Sequence, residues 1–83
     1  MGLSTEEKTM FKQSKLMEEI NRRLSITKNS FSISIPNFST SIGRTIVNEE
    51  EIEDLIDLIT KKLEYPATMS VNYIDNLIII TKI

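Results

Sequence analysis

The sequence predicts an α+β fold: one four-stranded antiparallel sheet with two helices, in the order α-β-β-α-β-β, within a single domain over residues 1–83. Three observations lead there. Residues 4–24 and 48–64 carry apolar side chains at helical spacing, and each stretch opens on a capping-box pattern, Ser4 with Glu7 and Asn48 with Glu51. Residues 30–35 and 68–73 alternate between apolar and small polar side chains, the period of a half-buried strand. Residues 77–80 are apolar without a break, as in a strand inside a sheet that is covered on both sides.

Taken in order, the first helix places Met10, Leu16, Met17, Ile20 and Leu24 within an arc of roughly 120°, the width of a core-facing stripe. Glu18 with Arg22 and Glu19 with Arg23 are favourable i,i+4 pairs. Phe11 falls outside the stripe, among charged residues. The first strand then runs to Ile35, where Pro36 removes a ladder donor and stops it. A loop over residues 37–43 leads to a short second strand over residues 44–47, and the two strands form a hairpin.

Asn48 caps the second helix, with Val47 and Ile52 at the spacing of a hydrophobic staple. Ile52, Leu55, Ile56, Ile59 and Leu63 form its buried stripe, with Leu58 on the margin. Tyr65-Pro66 ends it, because a residue before proline is pushed out of the α region. A second hairpin follows, with Asp75-Asn76 as a two-residue turn. Its last strand has a second apolar face, Ile78 and Ile80, that needs a cover. The first helix can supply it, or the same surface of a second copy; the expectation is a homodimer with Ile78 and Ile80 at its interface.

Composition narrows the function. The chain has no cysteine and no histidine, so thiol nucleophiles, thiolate metal sites and the commonest general base are all missing. Gly43 is the only glycine beyond position 2 and no helix is expected directly after it, so no phosphate-binding loop is read. The expectation is no enzyme, no cofactor and no metal. No apolar run approaches the ~20 residues of a membrane span, and no secretory pattern is present, so a cytoplasmic protein without membrane contact is expected.

Ten basic and twelve acidic residues leave a net charge of −2, but their distribution is uneven. Residues 1–28 hold six basic groups against four acids, and residues 48–64 hold seven acids against two lysines. The acidic run has one plain account, stabilisation by the positive end of the helix dipole. It also suits a basic protein partner or an imitation of nucleic-acid phosphates. Consecutive helix positions diverge, so it does not suit a metal. Glu50, Glu53, Asp54 and Asp57 are therefore the candidate partner-binding acids, with Phe11 and Phe38 as candidate anchors.

Short length and an Ile-, Asn-, Lys- and Ser-rich composition resemble, in type alone, the small accessory proteins of phages and mobile elements, many of which inhibit host or defence enzymes. That implies a non-catalytic protein-binding module that modulates an enzyme by occupying its surface, in the host cytoplasm if phage-encoded. Two alternatives stand beside it. One is a nucleic-acid-associated regulator using Lys8, Lys12, Lys15, Arg22 and Arg23, which the interleaved acids disfavour. The other is a structural protein that assembles only with itself.

Overall fold

The computed structural model describes residues 2–83. Its first helix, α1 (Thr5–Lys12), begins with the capping box expected from the sequence. The Ser4 hydroxyl accepts from the Glu7 N–H at 3.2 Å, and the Glu7 carboxylate accepts from the Ser4 N–H at 2.9 Å. The single long first helix does not hold. It breaks at Gln13-Ser14, where the Ser14 hydroxyl and amide both donate to the Phe11 carbonyl, and α2 (Lys15–Ile26) starts with a new phase. The break turns Phe11 fully inward and leaves Met10 48% exposed, the reverse of the continuous-helix reading. On α2, Met17, Ile20 and Leu24 are buried as the stripe requires.

Strand β1 (Ser30–Ser34) stops one residue earlier than expected, because Ile35 opens a helix, α3 (Ile35–Ile42). Pro36 is therefore not a strand terminator. It sits in the first helical turn, where its fixed φ fits and a missing N–H leaves nothing unpaired. Ile35, Phe38 and Ile42 form the buried stripe of α3, and Gly43 closes it in the left-handed region at φ 81°. The expected strand over residues 44–47 is not formed. Two of its amides are taken by side chains instead, the Ile46 N–H donating to the Ser39 hydroxyl at 3.1 Å and the Val47 N–H to the Glu51 carboxylate at 2.8 Å, and the Arg44 N–H donates to the Ser39 carbonyl at 3.2 Å.

Helix α4 (Glu49–Lys62) forms where expected, with Asn48 accepting from the Glu51 N–H at 3.0 Å and Ile52, Leu55 and Ile59 buried, but Leu58 is buried as well and Ile56 and Leu63 are only half-buried, so the stripe is turned toward Leu58. Val47 stays 74% exposed, so no staple to Ile52 forms. Asn21 of α2 fastens the far end of α4: its amide donates to the Lys62 carbonyl at 3.1 Å and accepts from the Glu64 N–H at 3.0 Å.

Strands β2 (Ala67–Asn72) and β3 (Leu77–Lys82) form the second hairpin. Its turn is four residues long rather than two. The Asn72 carboxamide organises it, accepting from the Ile74 and Asp75 N–H groups at 3.0 Å each, and Asn76 takes a φ of 56°. The sheet has three strands in the order β1-β3-β2, both pairings antiparallel. The expected four-stranded sheet with two helices is thus a three-stranded sheet with four helices.

Cross-strand partners share a face, so the registers sort every side chain. Phe31, Ile33, Ile78, Ile80, Lys82, Ala67, Met69 and Val71 lie on the side of the helices. Ser30, Ser32, Ser34, Leu77, Ile79, Thr81, Thr68, Ser70 and Asn72 form the opposite face, where no residue is buried. The strand β3 is central as expected, but covered on one side only. Its covered side is Ile78 and Ile80, both without exposed surface beneath the chain's own helices. Neither residue is available to a second copy.

Candidate functional site

Of the expected anchors, Phe11 on α1 and Phe38 on α3 are both completely buried. Their rings pack on each other, centroids 5.9 Å apart and planes tilted by 43°. Burial of this kind makes them core residues that join two helices, with no surface for a partner.

The acids of α4 are placed differently from one another. Glu51 is buried, and its carboxylate accepts from the Val47 N–H and from Arg44, whose guanidinium also pairs with Glu7 of α1. The Arg44 guanidinium holds the Glu7 carboxyl down at about 2, against an ordinary 4.5, with the Ser4 N–H as a further cause. A separate hydrogen bond from Arg44 holds Glu51 below the usual carboxylate range against the opposing effect of its burial. Asp54 is half-buried and accepts from the Leu3 N–H at 2.8 Å. A Cβ at position 2 would lie 2.1 Å from the Asp54 carboxylate, so Gly2 is what lets the N-terminal segment lie this close to α4. Asp54 and Glu51 are thus engaged within the fold.

Glu49, Glu50, Glu53 and Asp57 are exposed. At 100° per residue they fall within an arc of about 100°, on the side of α4 turned away from the core. Asp57 also pairs with Lys61 one turn on, at 2.9 Å. Among the described residues no group of three potential ligands is placed to hold a metal ion.

Glu49 is also on the rim of a groove of about 510 Å³ that the sequence reading missed. Ile35 and Pro36 of α3, Ile46 and Val47 of the connector, Ile52 of α4 and Tyr73 of the hairpin turn make its apolar lining. Ser39, Asn48 and Asn76 add uncharged polar groups, and no lysine or arginine lines it. Val47 at 74%, Tyr73 at 52% and the neighbouring Ile74 at 95% leave much apolar surface in solvent around this end of the molecule. The groove brings together residues from four separate elements. Only Val47, an aliphatic residue directly before a helix cap, carried a local signal, and that signal was read as a staple.

The basic residues of the N-terminal third do not form one stripe, because the break between α1 and α2 divides them. Glu19 takes both Arg22 and Arg23, where the sequence suggested Glu18 for Arg22. The Arg23 guanidinium also lies 5.9 Å from the centroid of the Phe31 ring. No described helix is long and apolar enough to cross a membrane.

No protein-family model matches the chain, and no curated protein or solved structure matches it either.

Proposed function

We propose that this chain is a non-catalytic protein-binding domain whose docking surface is the groove together with the acidic side of α4. The observation that supports the reading is adjacency. A mainly apolar concavity of about 510 Å³ meets a line of exposed carboxylates at Glu49, which belongs to both.

The helix dipole accounts for Glu49 and Glu50 in the first turn. Its effect fades within that turn, so it does not reach Glu53 or Asp57, of which Asp57 is paired with Lys61 and Glu53 has no such account. A partner that fits both surfaces inserts one or two aliphatic or aromatic side chains beside Ile46, Val47 and Tyr73, and lays lysines or arginines along α4. Burial of the anchor's apolar surface is the favourable term, from which the cost of association is subtracted. The charges supply orientation, fast association and a dependence on salt.

The test is selection from a random peptide library against the purified protein. Enriched peptides are expected to combine Leu, Ile, Phe or Trp with Lys or Arg. Reversing Glu49, Glu53 and Asp57 together to lysine is expected to weaken their binding at least about tenfold, or about 1.4 kcal/mol, with a folded circular dichroism spectrum retained and the melting temperature lowered by the lost dipole and Lys61 interactions. The single change Val47→Asp is expected to weaken binding to the same degree. Acidic consensus peptides, or binding indifferent to both variants, would sink the reading.

A further inference from the structure

We infer that β2 pairs antiparallel with the β2 strand of a second copy, joining two three-stranded sheets into one sheet of six strands. The directions of the backbone groups come first. The Ile83 N–H donates to the Pro66 carbonyl, and the register continues this pair through Thr68 with Thr81, Ser70 with Ile79 and Asn72 with Leu77. Hydrogen-bonded pairs alternate with non-bonded ones along an antiparallel ladder. The N–H and C=O groups of Thr68, Ser70 and Asn72 are therefore used by β3, and those of Ala67, Met69 and Val71 point away from it. Among the described residues nothing hydrogen-bonds to that outer row.

Edge strands of monomeric proteins usually carry a charge, a proline or a bulge that discourages pairing. The strand reads Ala-Thr-Met-Ser-Val-Asn and has none of these, in a chain of which 27% is charged. The core-facing side of the strand is also incompletely covered. Ile78 and Ile80 on β3 have no exposed surface, but Ala67, Met69 and Val71 beside them are only half-buried. The apolar layer runs out at this edge without a cover.

A second copy is the occupant because β2 is complementary to its own reverse. A two-fold axis at Ser70 aligns the outward amides of one strand with those of the other. It sets Met69 opposite Val71 on the core side, and Thr68 opposite Asn72 and Ser70 opposite Ser70 on the open side. Apolar meets apolar, polar meets polar, and no like charges are opposed. None of the six β2 residues lines the groove, although Tyr73 just beyond them does, so failure of this pairing leaves the groove reading standing.

Sedimentation across about a hundredfold range of concentration is expected to show a dimer that dissociates on dilution. Ser70→Lys sets two ammonium groups opposite each other and is expected to give a monomer with an unchanged circular dichroism spectrum. The chain has no cysteine, so Ser70→Cys is a clean second reporter. Position 70 would face itself as a non-hydrogen-bonded pair, the kind in which cross-strand Cβ atoms come closest, at about 4.5 Å, so Ser70→Cys is expected to form an interchain disulfide in air, and Ser32→Cys on the same open face of β1 is not. A monomer at every concentration overturns the inference, as does a dimer that survives Ser70→Lys and cross-links no better through position 70 than through position 32. A monomer that captures an extended peptide along β2 instead overturns the choice of occupant.

Discussion

Arg44 shows what one residue does between two elements that are far apart in the chain. It joins Glu7 of α1 to Glu51 of α4, and the connector that carries it gives its Val47 amide to the same Glu51 carboxylate. None of these three partners is at helical spacing from another, apart from the local step between Val47 and Glu51, so the network was not legible in the sequence. The reading of Glu51 as part of a capping box found half of the arrangement: Asn48 accepts from the Glu51 amide, but the carboxylate turns to Val47 and Arg44. A pH dependence follows with a definite sign. The carboxyl of Glu7 lies at about 2 in the folded chain against 4.5 ordinarily, and Glu51 is shifted in the same direction. Stability from these pairs is present above about pH 4.5 and is lost as pH falls toward about 2. Urea unfolding midpoints measured from pH 6 downward are expected to fall in that window, and Arg44→Gln is expected to flatten the fall. An equal slope in the variant would exclude the Arg44 pairs as its source.

At the scale of elements, the parts read correctly were those in which local chemistry and burial agree. Helix α4 has a cap, acids at its start, lysines at its end and one apolar stripe, and it forms over nearly the span expected. The segment from Ile35 to Gly43 was misread because Ile33 and Ile35 continue the strand alternation, while Ile35, Phe38 and Ile42 satisfy a helical stripe equally well. Proline in a first turn and glycine just past the last were the signals that decide for the helix. Gly43 tests this assignment. A Cβ there would meet Met10 Cε at 3.5 Å, an ordinary contact, so Gly43→Ala acts through the left-handed backbone alone. It is expected to cost about 1–2 kcal/mol in chemical denaturation, and a change near zero would mean that the αL cap is not held in solution. The first helix failed for a related reason. Nothing in Gln13-Ser14 forbids a helix, and the break goes with the Ser14 hydrogen bonds to the Phe11 carbonyl and the burial of Phe11 against Phe38, a contact across 27 positions.

For the whole molecule, the helices lie on one side of the sheet and the other side stays bare, which agrees with a shortest dimension of 17 Å. Charge is also divided, with acids along α4 and bases spread over α1 and α2. The division of those bases between two helices, and the pairing of Arg22 and Arg23 with Glu19, speak against a track for phosphates. A gel shift with double-stranded DNA at about 50 mM salt is expected to show no complex; a retarded band that fades at about 200 mM would revive the nucleic-acid reading. The groove and the edge of β2 were not legible because each is made by the meeting of distant segments. The strand order has one more consequence. Both β1 and β2 pair with β3 and not with each other, yet β3 follows both in the chain. A nascent polypeptide finished only through residue 72 therefore holds two edges and no sheet, and the Ile33 side chain has no neighbouring strand to lie beside. Late arrival of the central strand leaves both edge strands unpaired until residues 77–82 are available, and the pairing of β1 with β3 must then close across α3, α4 and β2, with slow, non-local pairing as its kinetic signature.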